Sequence, residues 1–198
     1  MNRWFRVGLA VLVGVLAAAV PLGYKSVVGT KYRNFRVVEP GVLYRSGQMS
    51  PAGFQTIATE YGLRTVVSLR EVRDGDDGKP SPDRQEAEWC RANGVKHITL
   101  SPMVWRPAGD QPPPVEANLR EFFRVMDDPA ARPVLIHCFA GIHRTGGYVG
   151  LYRIEYDGWP ADAAIAEMKS MGTPRTTFDD EIPDYLRAYV RGRLRPGG

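Results

Sequence analysis

Cysteine is scarce in this chain: across 198 residues only Cys90 and Cys138 carry a thiol. Two cysteines build neither a disulfide framework nor a zinc site, so no metal and no cofactor is expected. Basic blocks are missing as well. The net charge is +4 and the sequence pI about 9.2, yet arginine is spread along the chain without a Lys/Arg run. That excludes the electrostatic footprint of a nucleic-acid binder, while a mild positive field suits anionic substrates. The acidic cluster Asp74, Asp76 and Asp77 lacks the Asp-x-Asp-x-Asp-Gly spacing of a calcium loop and is followed by Lys79. A solvated loop is the simpler reading. No internal repeat is visible.

Charge is also absent from Val7 to Leu22. Arg3 and Arg6 precede this run, and extension to Tyr24 brings it near the roughly 20 residues that a membrane helix needs. Residues 1–24 are therefore expected as an N-terminal apolar helix that anchors the chain in a membrane through residues 7–24. Secretion after cleavage near Ala17-Ala18-Ala19 is the alternative. Lys25, Lys31, Arg33 and Arg36 behind the run nearly balance the basic residues ahead of it, so orientation is weakly determined, with export of the following domain preferred. Residues 25–34 read as a polar linker, and 35–195 as one domain large enough to bury a core.

Within that domain, apolar runs and turn residues alternate. Phe35–Val38 and Val42–Arg45 flank Pro40-Gly41 as a hairpin. Ser50-Pro51 and Ser81-Pro82 each place a capping hydroxyl before a first-turn proline, opening helices that end at Gly62 and Gly94. Arg64–Leu69 and Val95–Leu100 read as strands. After a proline-rich loop from Ser101 to Pro114, Val115, Leu119, Phe122, Phe123 and Met126 fall on one helical face. A helix from Arg144 to about Asp157 contains Gly146, Gly147 and Gly150, which suggest close packing on the sheet. Two more helices follow, one opened by Trp159-Pro160 and one over Ile182–Arg193. The order predicts a compact α/β domain with a central, mostly parallel sheet flanked by helices.

The chemistry concentrates in Pro133–Gly146. Val134–Ile136 is a short buried strand, and it runs into His137, Cys138, a loop with Gly141, and a helix starting near Arg144. A strand-to-helix loop gathers N–H groups and the positive end of a helix dipole, which suits a dianion and lowers the pKa of a thiol. Cys138 is the candidate nucleophile. Arg144 offers a planar fork to two phosphoryl oxygens. The N–H groups of Phe139, Ala140, Gly141, Ile142, His143 and Arg144 would hold the remaining oxygens, and Thr145 could donate its hydroxyl to the departing sulfur. Cys90 lies on a helix and reads as a packed small residue, with an oxidative pairing to Cys138 left open.

His137-Cys138-x-x-Gly141-x-x-Arg144-Thr145-Gly146 resembles the active-site loop of the cysteine-dependent protein tyrosine and dual-specificity phosphatases. Asn34–Gly47 and Gly62–Arg70 look like stretches of the atypical dual-specificity phosphatases of plants, fungi and bacteria. The resemblance spans about residues 34–190. It implies hydrolysis of a phosphoester through a phosphocysteine intermediate, with His137 supporting the thiolate from behind. It also implies an acid on the loop preceding the cysteine strand, for which Asp110 is the candidate, to protonate the leaving group. Glu116 is the second choice but fits a helix first turn. Asp127 and Asp128 read as structural, and Asp179, Asp180 and Glu181 lie in no motif.

Two departures bear on substrate. The relatives acting on inositol pyrophosphates resemble Cys-x-x-Gly-Lys-His-Arg, whereas Ile142 stands at the lysine position here. No Trp-Pro-Asp acid loop is present, since Trp105-Arg106-Pro107 lacks its aspartate; this points away from the large tyrosine-specific enzymes. A phosphorylated protein is the expected substrate, an inositol phosphate or another small phosphoester the alternative, and a monomer the expected state. A phosphate-binding pseudophosphatase adaptor and a rhodanese-like or arsenate-reductase chemistry compete; intact Cys138, Arg144 and Thr145-Gly146 disfavour both.

Overall fold

The computed structural model describes residue 29 and residues 31–71, 80–172 and 181–195. The expected N-terminal apolar helix, its membrane role and Asp74, Asp76, Asp77, Asp179 and Asp180 all fall outside those residues. Among the described residues, no helix is long and apolar enough to cross a membrane.

The elements run β1 (Arg36–Glu39), β2 (Leu43–Ser46), α1 (Pro51–Glu60), β3 (Thr65–Ser68), α2 (Pro82–Ala92), β4 (Lys96–Thr99), α3 (Val115–Asp127), β5 (Val134–His137), α4 (His143–Glu155), α5 (Ala161–Ser170) and α6 (Glu181–Ala188). Both serine–proline devices work as the chain chemistry dictates. The Ser50 hydroxyl accepts from the Gly53 N–H and the Ser81 hydroxyl from the Arg84 N–H, each with proline in the first turn.

The five strands form one mixed sheet in the order β1-β2-β5-β3-β4. β1 and β2 pair antiparallel, as the hairpin reading requires, and every other pairing is parallel. β5 is thus central, and its four residues are buried. Its last residue, His137, is in register with Ser46 on one side and Ser68 on the other. Residues that share a register share a sheet face, and successive residues alternate. Leu43, Val67, Val134 and Ile136 therefore meet α3 to α6 in the larger core, while Tyr44, Val66 and Leu135 meet α1 and α2 in the smaller one. Fully buried Phe122 and Phe123 of α3 each contribute roughly 1.5–3 kcal/mol of apolar transfer free energy.

Three details differ from expectation. Residues 31–34 are no free linker: Tyr32 packs on the smaller core, the Arg33 carbonyl accepts from the Gly47 N–H at 2.7 Å, and Asn34 reaches the Cys138 loop. The glycines of α4 do not face the sheet. A Cβ on Gly146 would meet Met168, one on Gly147 would meet Trp105 and Ile182, and one on Gly150 would meet Leu186; the helix is thinned for its outer neighbours. The last helix stops at Ala188 rather than Arg193, because buried Glu155 accepts from the Tyr189 hydroxyl and, at 2.8 Å, from the Gly192 N–H. Those bonds turn the chain back onto α4.

Candidate active site

The loop from Cys138 to Ile142 bridges the C-terminal end of β5 and the first turn of α4, whose cap residue Ile142 makes no side-chain capping bond. The loop is held from outside by its carbonyls. Phe139 O accepts from the Gln48 N–H at 2.9 Å, Ala140 O from Asn34 Nδ2 at 2.8 Å, and Gly141 O from an Arg45 guanidinium N–H at 3.0 Å. With the carbonyls turned outward, the intervening N–H groups turn inward around the Cys138 sulfur. The Gly141 N–H already donates to that sulfur at 3.3 Å. This geometry is what the expected anion cradle requires, and Gly141 adopts the positive φ of 73° that a side chain would resist.

Cys138 is 5% exposed. Burial by itself would push the thiol up, but the Thr145 hydroxyl and N–H, the Gly141 N–H and the neighbouring His137 together hold it below the ordinary thiol value. Thr145 Oγ1 is buried and has no hydrogen-bond partner apart from the sulfur it acts on. Its effect falls on the sulfur, and a charged sulfur is the better acceptor.

His137 projects to the opposite sheet face, where its Nε2 meets Glu86 Oε1 of α2 at 2.8 Å; the same oxygen takes His97 Nε2 of β4 at 3.1 Å. Burial opposes charge on His137, yet the Glu86 carboxylate raises its pKa above the ordinary imidazole value. Burial likewise opposes charge on Glu86, and the two histidines overcome it, bringing the carboxyl down to about 2.

Arg144 leaves the first turn of α4 and donates to Leu69 O at 3.3 Å. It lines an open pocket of about 420 Å³ together with Arg70, Glu71 and Pro102. Arg70 is fixed by a bidentate pair with Asp83 at 2.6 and 2.8 Å. Phe139 is 55% exposed, with the Arg33 and Arg70 guanidinium groups 4.2 and 5.1 Å from its ring centre. Ile142 is half-buried and faces Gly172 at the end of α5, and His143 opens α4.

The structure thus brings together His137, Cys138, the loop amides, Arg144 and Thr145. Asp110 stands apart from them. It is exposed in a tight turn closed by the Ala108–Gln111 bridge, and it does not line the pocket beside Arg144. The loop carrying it is anchored through buried Trp105, which packs edge-on against Tyr148 and Tyr185. Glu116 is committed elsewhere, accepting from Tyr185 and Arg193. Asp127 takes Tyr156 and Arg195, Asp128 caps the turn at Ala130, and Glu181 pairs with Arg106.

Four supporting residues escaped the chain reading: Asn34, Arg45, Asp83 and Glu86. Asn34 and Arg45 lie inside a stretch that resembles the phosphatases, but nothing local says that they brace a loop near residue 140. Asp83 and Glu86 are three apart on one helix, which marks a shared face and not its target. The open question over Cys90 is closed by alternation. Cys90 belongs to the core on the His137 side and Cys138 to the core across the sheet. Burial and Glu86 push the Cys90 thiol up to about 12.

The family described as DSP-PTPase phosphatase fused to NAD+ kinase matches residues 25–181. The dual specificity protein phosphatase TpbA of Pseudomonas aeruginosa is 29% identical in strain PAO1 and 46% in strain UCBPP-PA14; each match covers 96% of this chain and 80% of the relative. Inositol diphosphatase DSP3 of Arabidopsis thaliana is 30% identical over 68% of this chain, which spans 60% of that relative. Among solved structures, the Siw14 catalytic core superposes with a TM-score of 0.63 at 20% identity, covering 82% of this chain and 88% of that one. TpbA gives 0.58 at 25% identity, covering 79% and 85%. A buried thiol held below its ordinary pKa in an amide cradle beside an arginine performs phosphoryl transfer without a metal. On that chemistry and on the match across residues 25–181, the chain belongs to the dual-specificity branch of the cysteine-dependent phosphatases and is a metal-independent phosphoester hydrolase.

Proposed function

We propose that Cys138 is the nucleophile of this hydrolase and that phosphotyrosine in protein is its preferred substrate. The observation that carries the reading is the inward-facing amide cradle around a depressed thiol, with Arg144 at its edge. The thiolate attacks phosphorus and the ester oxygen leaves. The loop amides and Arg144 hold the three equatorial oxygens throughout. A water then attacks the phosphocysteine; sulfur leaves as a thiolate, assisted by the Thr145 hydroxyl, and inorganic phosphate is released. Asp110 gives a proton to the leaving oxygen and later takes one from the water. Its exposed position means that this role requires its loop to approach the cradle with substrate bound.

Phosphotyrosine is favoured by Ile142, which puts a hydrocarbon where a cation would serve a more highly charged ligand. It is favoured too by exposed Phe139, an aromatic surface packed against Arg70 of the pocket lining. The relative named dual specificity phosphatase is similar along most of the chain. An inositol diphosphate is the second reading. The observation behind it is the pair of guanidinium groups, Arg33 and Arg70, packed against Phe139, together with relatives named inositol diphosphatases.

Steady-state assays on phosphotyrosine peptides, inositol phosphates and p-nitrophenyl phosphate separate the two, run beside Cys138→Ser. Phosphotyrosine turnover lost in Cys138→Ser supports the proposal. Higher kcat/KM on inositol diphosphates transfers the assignment to the second reading. For placement in the cell, we propose a tether through residues 7–24, supported by the uncharged run Val7–Leu22 behind Arg3 and Arg6. Recovery of the intact chain in a carbonate-washed membrane fraction checks it, and a soluble intact chain refutes it.

A further inference from the structure

Glu86 is one of the buried ionic groups that the reaction above does not use, and it lies directly behind the site. It is 4% exposed and lies inside the smaller core, where an unpaired carboxylate would be strongly destabilising. Its pairing is specific. One oxygen, Oε1, meets His137 Nε2 at 2.8 Å and His97 Nε2 at 3.1 Å. An ionised carboxylate only accepts, so both Nε2 atoms must carry protons. This fixes the His137 tautomer. The ring can change charge only at Nδ1, which is buried without a hydrogen-bond partner.

Cys138 directly follows His137. Among the described residues, Glu86 and Asp83 of α2 and Cys138 act on this histidine; Cys90 and His97 are reached through Glu86 and Arg70 through Asp83. Asp83 is neutralised by its bidentate pair with Arg70. Cys90 stays a neutral thiol, because burial and Glu86 raise its pKa to about 12. What remains is an alternation of sign: carboxylate, imidazolium, thiolate. The histidine stands between the two negative groups, and each of them favours its charge.

We propose that Glu86 is a positioning residue for this phosphatase: through Nε2 of His137 it orients the imidazole and keeps it charged behind Cys138, and His97 completes the carboxylate's shell. The inference rests on Cys138 as the nucleophile. It adds the electrostatic support of that group, supplied by a helix 51 residues earlier in the chain. Helix α2 then does more than cover the sheet, since its two buried acids set both Arg70 at the pocket and His137 behind the sulfur.

The test reads the thiol without a substrate, so an error in the substrate assignment leaves it standing. The rate of iodoacetamide alkylation at Cys138, followed by peptide mass spectrometry in the full chain, is measured against pH for wild type, Glu86→Gln, His137→Gln and the double variant. Glu86→Gln keeps size and an acceptor oxygen for both Nε2–H groups, removes the charge and turns the second oxygen into an NH2 donor. Its alkylation midpoint is expected to move up by about one pH unit, which costs about tenfold in rate below the midpoint. The double variant should move no further than His137→Gln, because the carboxylate acts through the imidazole. An unmoved midpoint in a folded Glu86→Gln protein, or additive shifts in the double variant, overturns the proposal. Imidazole nitrogen NMR of the wild-type protein supplies a test that needs no variant. The His137 midpoint should lie above the ordinary imidazole value, and a midpoint at or below it refutes the assignment even where Glu86→Gln does not fold.

Discussion

Gly47 and Gly141 meet backbone to backbone. A Cβ on Gly141 would lie 2.4 Å from the Gly47 nitrogen, and one on Gly47 would lie 2.8 Å from the Ala140 carbonyl. The end of β2 therefore seats the cradle directly, with no side chain between them. Gly47→Ala should push the loop out of register with its bracing bonds and lower kcat/KM by at least about tenfold. Gly141→Ala adds the positive-φ strain of roughly 1–2 kcal/mol and should lower the melting temperature as well. Equal kcat/KM in Gly47→Ala and wild type would show that the contact does not shape the cradle.

Arg45 is a fully buried cation on the cradle's underside, on the sheet face that carries Cys138. Burial acts against its charge, and Glu167 and Cys138 are the groups that oppose that effect. A buried cation without a hydrogen-bonded carboxylate contributes little to stability, and an apolar group of similar shape is tolerated. Arg45→Met should thus lower kcat/KM by roughly 10–100-fold, through a weakened Gly141 brace and a less stabilised thiolate. Its urea midpoint should stay near wild type. A large loss of stability with unchanged kcat/KM would reverse the assignment.

Asp110→Asn separates a proton donor from an exposed loop residue. A phenolate leaves with little help and an alkoxide with much, so turnover of alkyl phosphates should drop by about 10²-fold or more and that of aryl phosphates clearly less. Losses of equal size on both substrates would remove Asp110 from the acid role. Gly147→Ala offers a check on the same loop from its anchor. The new methyl would lie 2.8 Å from the Trp105 ring, and displacing that ring should lower kcat while leaving the Cys138 alkylation midpoint unchanged.

The Glu86–His137 pair also predicts a pH window for stability. The Glu86 carboxyl, at about 2 in the fold against an ordinary 4.5, contributes stability that is present above about 4.5 and is lost as pH falls toward 2. His137, with its value raised, contributes stability present below about 6.5 and lost as pH climbs through its raised folded value. Both contributions are complete between those limits, so chemical denaturation should give its largest unfolding free energy there. In Glu86→Gln the acid side of this profile should flatten by roughly 2–4 kcal/mol. An unchanged acid slope would mean that the pair is not ionised in the folded protein.

Oxidation supplies a last check on topology. Cys90 and Cys138 occupy cores on opposite sides of the sheet, too far apart in orientation for disulfide geometry. Peroxide should inactivate the enzyme at Cys138 without producing a Cys90–Cys138 cross-link in non-reducing peptide maps. Detection of that cross-link in native protein would contradict the alternation of β5.

The parts of this protein legible from residues alone are those decided within a few positions of chain. Ser50-Pro51 and Ser81-Pro82 cap their helices because the hydroxyl and the N–H it binds are three residues apart. Cys138, Gly141 and Arg144 form a cradle because one strand end, one turn and one helix start follow each other without interruption. Tertiary structure alone decided what braces and charges that cradle. Arg45 reaches Gly141 across 96 residues and Glu86 reaches His137 across 51. Such pairings depend on strand order and on which face of the sheet each side chain takes, and no local spacing encodes either. The same reason explains the misjudged glycines of α4. Their spacing shows that something comes close, but only the packed helices show that it is Met168, Trp105 and Leu186, and not the sheet.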